Sequence, residues 1–338
     1  MIKVLFVSYP HIGQNLGGMQ IQIAKTADQL EKAGIDVVYF DPWKSKLSDV
    51  DVVHIFSLHP SIYEFAEIVK AKSKPLIVSS VLNLQDRSLA TLSMQVQISK
   101  RCRGVFSSIK QSYGIARLAD YLIALTDKEK EIIKKAFSIS PEKIRVIPNG
   151  IDKKFLNATP TLFLEKYGKR DFVLCVGKIE PRKNQLKLIE ACKKGNWPLV
   201  LIGPANTQHP GYYLECKEKA KESDVLFIDA INNDDPLLAS AYSSAKLFAL
   251  VSESEVFPIS VLEASAAGTR IILTERTAMG EVLGNLITYT KPNTTNIYQS
   301  IKREWIEEKN FNLKEKITEK FSWESIGAEI IDVYRQVL

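Results

Sequence analysis

Residues 247–267 read LFALVSESEVFPISVLEASAA, and this stretch sets the architecture. Leu247–Val251 is an unbroken apolar run of strand length, the pattern of a strand buried on both faces, as strands of parallel sheets are. The following loop, Ser252–Pro258, is polar and ends in proline, a residue suited to a first helical turn because its missing N–H has no partner to lose there. Small and apolar residues then run through Ile259–Ala267, with one charge, Glu263, about a turn and a half into the helix. A buried strand, a polar loop and a helix in that order form one unit of an α/β fold, and in such folds ligands sit beyond the carboxyl ends of the strands.

The same unit recurs on both sides. Strand-length apolar runs occur at Ile2–Ser8, Asp36–Phe40, Val52–Phe56, Leu76–Ser80, Tyr121–Leu125 and Lys143–Ile147. A second series follows at Phe172–Val176, Leu199–Ile202, Val225–Ile228, Leu247–Val251 and Arg270–Thr274, with a weaker run at Ile287–Tyr289. Helical patterns lie among them at Gln20–Ala33, Ser61–Lys72, Lys128–Ala136, Gln185–Lys194, Tyr212–Glu222 and Ile259–Ala267. This alternation predicts parallel sheets covered by helices on both faces. The turn signal Pro148-Asn149-Gly150 separates the two series. We therefore expect two doubly wound, Rossmann-like domains, 1–148 and 149–323, which also suits 338 residues at roughly 100–200 per domain.

Composition narrows the class. With 45% hydrophobic and 25% charged residues, and only 16 Gly and 14 Pro, the chain is neither disordered nor collagenous. Its four cysteines form no CxxC pair and there are four histidines, a poor basis for a zinc site or a disulfide framework, so a reducing, cytoplasmic setting is expected. No run of apolar residues is long enough to span a membrane, and the opening MIKVLFVSY reads as a first strand. Residues 1–148 hold 20 Lys+Arg against 14 Asp+Glu, whereas 149–338 hold 25 of each, so the whole net charge of +6 lies in the first half. It is densest at Lys100, Arg101, Arg103, Lys110 and Arg117. Two readings stand side by side: a solvated helix face, or a surface for peripheral contact with the inner face of an anionic membrane or with a phosphate-bearing acceptor. No nucleic-acid motif is present.

Four loops after strands could hold a phosphorylated ligand. The first, Pro10 to Gly18, ends in Gly17-Gly18 before a helix, where backbone can approach an anion closely, although a plain turn also explains the pair. It is not GxGxxG, which removes the dinucleotide fingerprint and with it a dehydrogenase. In the second, Lys178, Arg182 and Lys183 put three cations within six residues at the end of a buried strand, and Lys and Arg are the natural partners of phosphate. The third carries Glu255, Phe257 and Pro258 ahead of Ile259 and Glu263; two carboxylates flanking one helix start can hold two sets of hydroxyls, with the first-turn N–H groups facing an anion. The fourth, Asn83–Arg87, is polar without specific chemistry.

Taken together, these residues resemble the retaining GT-B glycosyltransferases of glycosyltransferase family 4. The likeness rests on Gly17-Gly18, on Val146-Ile147-Pro148-Asn149-Gly150-Ile151-Asp152, and on Val176-Gly177-Lys178-Ile179 with Lys183. It also rests on Glu255-Val-Phe-Pro-Ile-Ser-Val-Leu-Glu263 as the family's E-x7-E element, and on Phe321-Ser322-Trp323-Glu324. The resemblance implies a GT-B fold of two domains facing a cleft, an acceptor domain 1–148 and a donor domain 149–323, with a last helix, 324–338, packing back on the first. By this likeness Lys183 contacts the donor diphosphate, and Lys178 stands where the family often has Arg. Glu263 binds ribose hydroxyls, and Glu255 lies beside the transferred sugar. Gly17, Gly18, Arg182, Phe257, Pro258 and Ile259 complete the donor site. The activity implied is hexose transfer from a nucleotide-diphosphate sugar to a glycan or lipid-linked acceptor in surface polysaccharide or glycolipid synthesis. It needs no cofactor and no obligate metal. One departure stands out: Val81 takes the position of a histidine that many members carry after the fourth strand; no motif makes His54 or His59 a substitute, and His11, near the Gly17-Gly18 loop, is the better candidate, although an ordinary loop histidine also explains it. A non-catalytic nucleotide-sugar-binding subunit and a sugar-nucleotide epimerase remain the alternatives.

Overall fold

The computed structural model of the chain describes all residues except 15–16, 83–87, 102–106 and 308–310. Those gaps take in the fourth loop (Asn83–Arg87), Asn15 and Leu16 of the first, and Arg103 of the basic cluster. The chain divides into two compact units, Met1–Asn149 with Trp323–Leu338, and Gly150–Ser322.

In the first unit six strands form one parallel sheet: β1 (Lys3–Val7), β2 (Asp36–Tyr39), β3 (Val52–Phe56), β4 (Leu76–Ser79), β5 (Tyr121–Ala124) and β6 (Ile144–Val146). Their order is β2-β1-β3-β4-β5-β6. Apolar runs explain the centre of this sheet: every residue of β3 and β4 is buried, as two-sided coverage by helices requires. The covering helices are α1 (Gly18–Lys32), α2 (Tyr63–Ala71), α3 (Leu89–Arg101), α4 (Ser108–Leu118) and α5 (Asp127–Phe137). Two of these, α3 and α4, lie where no helix is expected from the sequence; Ser107 caps α4 by accepting from the Lys110 N–H at 3.2 Å. Thr126 caps α5 in the same way at 3.1 Å, with Glu129 at the matching position of a capping box.

The second unit repeats the plan. Its strands are β7 (Val173–Val176), β8 (Leu199–Ile202), β9 (Val225–Ile228), β10 (Leu247–Leu250), β11 (Arg270–Thr274) and β12 (Thr288–Thr290), again parallel, in the order β12-β11-β10-β7-β8-β9. Its helices are α6 (Lys153–Leu156), α7 (Thr161–Tyr167), α8 (Gln185–Gly195), α9 (Pro210–Lys219), α10 (Pro236–Ser244), α11 (Ile259–Ala266), α12 (Gly280–Leu283), α13 (Thr294–Trp305) and α14 (Phe311–Lys320). The expected helix Tyr212–Glu222 begins two residues earlier, at Pro210, and ends at Lys219, short of Glu222, whose φ of +58° belongs to left-handed backbone. The described cysteines, Cys175, Cys192 and Cys216, are unbridged and buried.

The last helix, α15 (Trp323–Val337), belongs to the first unit and packs on α1. Their approach is close at Gly327, where an added Cβ would stand 2.7 Å from the Gln29 Cβ. Tyr334 of α15 is fully buried and its hydroxyl lies 2.7 Å from Nδ1 of His54 in β3, while Nε2 of that ring lies 2.9 Å from the Ser79 hydroxyl. His54 is therefore a satisfied core histidine. Among the described residues no helix is long and apolar enough to cross a membrane.

Candidate functional site

In a doubly wound sheet the crevice for a ligand opens where the strand order reverses. In the second unit the chain runs outward from β7 through β8 to β9, then returns to β10 beside β7 and runs the other way. The loops after β7 and β10 therefore flank the switch point, and they carry Lys178, Arg182, Lys183 and Glu255.

These loops are stitched together before any ligand is considered. Asn184, buried and in left-handed backbone at φ +59°, donates its amide hydrogens to the Val251 and Pro292 carbonyls at 3.1 and 3.2 Å. The Glu253 N–H donates to the Arg182 carbonyl at 2.8 Å. At the other edge Gly203, with φ +150°, passes so close to the β7 loop that an added Cβ would meet the Gly177 carbonyl oxygen at 2.2 Å. Only glycine fits there.

On this frame Lys183 Nζ donates to Glu255 Oε1 at 2.6 Å, and the Ser252 hydroxyl donates to the same oxygen at 2.6 Å. Arg182 approaches that carboxylate at 3.6 Å, while donating to the Ser254 carbonyl at 2.9 Å and pairing with Glu180 at 3.3 Å. The Glu255 side chain is only 8% exposed. Burial opposes its charge, yet the Lys183 and Arg182 cations and the hydrogen bonds from Lys183 and Ser252 outweigh that, holding the carboxyl below its ordinary value. Lys178 stands half-buried on the same loop, and its carbonyl accepts from Gln185 Nε2 at 2.8 Å.

Glu263 lies apart from this cluster, in α11, with partners of its own. The Tyr242 hydroxyl donates to Oε2 at 2.7 Å and Asn233 Nδ2 donates to Oε1 at 2.5 Å. Burial pushes its pKa up, against the pull of those two donors. Pro258 is not in the first turn but one place earlier, at the N-cap, with ψ 123°; Ile259 opens the helix. An N-cap needs no intrahelical N–H either, so proline costs nothing there. Phe257 and Ile259 are buried, the Phe257 ring packing on Phe321 with centroids 6.1 Å apart, so any anion contact from this turn comes from backbone amides.

In the first unit Gly17 precedes α1 in extended backbone and Gly18 begins the helix, both exposed. Val81 has φ +43°, a conformation that a β-branched residue rarely adopts. The buried carboxylate of Glu129 grips its neighbours, accepting from the Ser80 hydroxyl at 2.7 Å and the Leu82 N–H at 2.5 Å. Sequence reasoning did not single out Asn184, Ser252, Tyr242, Asn233 or Glu129. For Asn184 a signal existed, since asparagine tolerates left-handed backbone just ahead of a helix. For Glu129 the Thr126-x-x-Glu129 spacing was the signal.

Two family models match the chain: Glycosyltransferase Family 4 over residues 42–155 and Glycosyl transferases group 1 over residues 163–320. The chain belongs to these GT-B glycosyltransferases. It is 27% identical over 263 residues to an uncharacterized glycosyltransferase of Methanocaldococcus jannaschii, covering 70% of this chain and 66% of that one. It is 22% identical over 251 residues to O-antigen chain mannosyltransferase B of Escherichia coli, covering 70% and 65%. The matched segments thus span just under two thirds of those relatives' own length. In fold it is similar to Anabaena HepE crystallised with UDP-glucose, with a TM-score of 0.75 at 17% identity, covering 99% of this chain and 100% of that one.

Proposed function

We propose that this GT-B chain transfers a hexose from a nucleotide-diphosphate sugar to an acceptor hydroxyl with retention of configuration. The observation that carries this reading is the convergence of Lys183 and Arg182 on the buried Glu255 at the second unit's switch point. As the bond from the sugar's anomeric carbon to the donor's phosphate oxygen breaks, its electron pair leaves with the nucleoside diphosphate. On this reading Lys183, Arg182, Lys178 and the first-turn amides of α11 meet that growing negative charge, the electrostatic contribution that often dominates catalysis. The acceptor oxygen bonds to the same carbon from the face of departure, and its proton passes to the leaving phosphate. Glu255, held ionised by its cations, faces the positive charge that develops on the sugar carbon and accepts from its hydroxyls. Glu263, oriented by Tyr242 and Asn233, takes the ribose hydroxyls.

With these cations doing the neutralising, the reading includes no obligate metal. The names of the relatives, among them an O-antigen mannosyltransferase, support a glycan or lipid-linked acceptor in surface polysaccharide or glycolipid synthesis. The basic excess of residues 1–148 supports a peripheral membrane contact, to be tested by cosedimentation with anionic vesicles that salt abolishes; no binding at low salt removes that part. The central test is a melting-point panel of UDP, GDP, ADP and dTDP on wild type and Lys183→Ala, with and without EDTA, since a ligand of the folded state raises the midpoint by mass action. One nucleoside diphosphate should stabilise the wild type, with or without chelator, and not the variant. No shift with any nucleotide, or one that EDTA abolishes, counts against the donor site as described.

A further inference from the structure

The switch-point rule that locates the donor site in the second unit applies equally to the first. There the chain passes from β1 to the edge strand β2, then returns to β3 on the other side of β1, so the order reverses between β1 and β3. The residues directly after those two strands include Tyr9, His11 and His59, and their rings form one patch. The Tyr9 and His11 centroids are 4.7 Å apart, those of Tyr9 and His59 5.4 Å, and those of His11 and His59 5.9 Å. His11 is exposed, while Tyr9 and His59 are half-buried, so the patch is open on one side and backed on the other.

Its backbone is braced. The Ser8 hydroxyl donates to the Phe56 carbonyl at 3.2 Å, tying the ends of β1 and β3 together. Ser57, at φ +95°, sits in strained backbone for a residue with a side chain, and its N–H donates to the Ser79 carbonyl at 2.8 Å. The Ser112 hydroxyl donates to the Leu58 carbonyl at 2.6 Å. The ring of His59 is also oriented: the Ser61 N–H donates to its Nδ1 at 3.2 Å. A nitrogen that accepts carries no hydrogen, so the neutral ring keeps its hydrogen on Nε2, as a donor. Burial and then the neighbouring His11 hold the His59 pKa below its ordinary value, so this ring is uncharged at neutral pH.

We propose that Tyr9, His11 and His59 form a carbohydrate subsite at the β1/β3 switch point, taking a neutral pyranose ring. Aromatic faces suit the C–H face of a sugar, and a fixed imidazole N–H and the tyrosine hydroxyl suit its oxygens. With the His59 ring uncharged, the patch favours a sugar over an anion. On the transferase reading, this subsite holds the acceptor sugar.

The four histidines supply the test, since His11, His54, His59 and His209 give few and separable imidazole signals in the full-length, 13C-labelled protein. Methyl glucopyranoside, mannopyranoside and galactopyranoside are titrated separately into the tens-of-millimolar range. At least one should shift the His11 and His59 signals saturably and leave buried His54 and distant-in-sequence His209 in place. Tyr9→Ala should weaken that response about tenfold, as loss of a stacking partner of this size implies, and Tyr9→Phe should keep most of it. The unchanged His54 signal reports that each variant is folded. No shift at His11 and His59, equal shifts at all four rings, or a response to inorganic phosphate in place of the saccharides overturns the subsite. Failure of the nucleotide panel counts instead against the transferase reading and leaves this result standing.

Discussion

Lys183 Nζ lies 2.6 Å from Glu255 Oε1 at the reversal of strand order in the second unit. On the proposed reading the pair sets a cation for phosphate beside a carboxylate for sugar, and against the effect of burial the Lys183 and Arg182 cations hold the Glu255 carboxyl below its ordinary value. Replacing Lys183 by Ala should lower turnover by at least about 100-fold, the scale of losing a principal electrostatic donor. Removing one member of a buried pair commonly costs about 3–5 kcal/mol. Here the loss should fall below that range, because Glu255 retains Arg182 and Ser252. Steady-state kinetics with a cooperative melt as control checks this; near-normal turnover refutes the role of Lys183.

The fully buried Tyr242 hydroxyl is the donor that fixes Glu263 Oε2, and Tyr242→Phe removes it while keeping the ring. A lost hydrogen bond to a buried charged group costs about 1–3 kcal/mol. On the proposed role of Glu263 at the ribose, nucleoside-diphosphate affinity should therefore weaken about tenfold or more with kcat nearly unchanged, because a ribose held there is bound alike in ground and transition states. Calorimetric titration checks it, and an unchanged Kd would leave Tyr242 with a packing role alone.

Gly203 lies against the backbone of the β7 loop at this site. The Gly203→Ala methyl would collide with the Gly177 carbonyl and would also demand an unfavourable φ of +150°. Either the chain loses several degrees of melting temperature or the Gly177–Lys183 loop shifts and donor affinity falls. Gly13→Ala, where an added Cβ meets nothing within 4 Å, is the control and should change neither. A Gly203→Ala protein with wild-type melting and binding would mean the β7 loop is not held as described.

His54 makes stability depend on pH. Burial lowers its pKa from 6.5 to about 3, so the unfolded chain binds a proton that the folded chain refuses. Stability is then full above about pH 6.5 and falls as pH drops toward 3, by about 1.4 kcal/mol per unit for this one group. Urea denaturation at a series of pH values should show this slope, and His54→Gln should flatten it between pH 6.5 and 5. An unchanged slope in that variant would assign the acid sensitivity to other groups.

Much of the fold was legible because buried parallel strands need apolar runs, and all twelve runs named from the sequence became strands. Helices were less legible: α3, α4, α7, α10, α13 and α14 were not among those named, and in α3 polar residues mixed into every turn leave tertiary packing, not periodicity, to hold the helix. Pro258 fell one position from its expected place because a proline serves equally at the N-cap and in the first turn.

By itself the sequence determined the strand–helix alternation and placed cations and carboxylates on loops after particular strands, because these are properties of neighbours along the chain. Which strands lie side by side, and so where each order reverses, was decided only in the tertiary structure. That is why Lys183 meets Glu255 across 72 positions of sequence, why Tyr9 meets His59, and why Tyr334 satisfies His54 from 280 positions away. Such contacts follow from sheet topology and the demand that every buried polar group find a partner, and no local pattern encodes them.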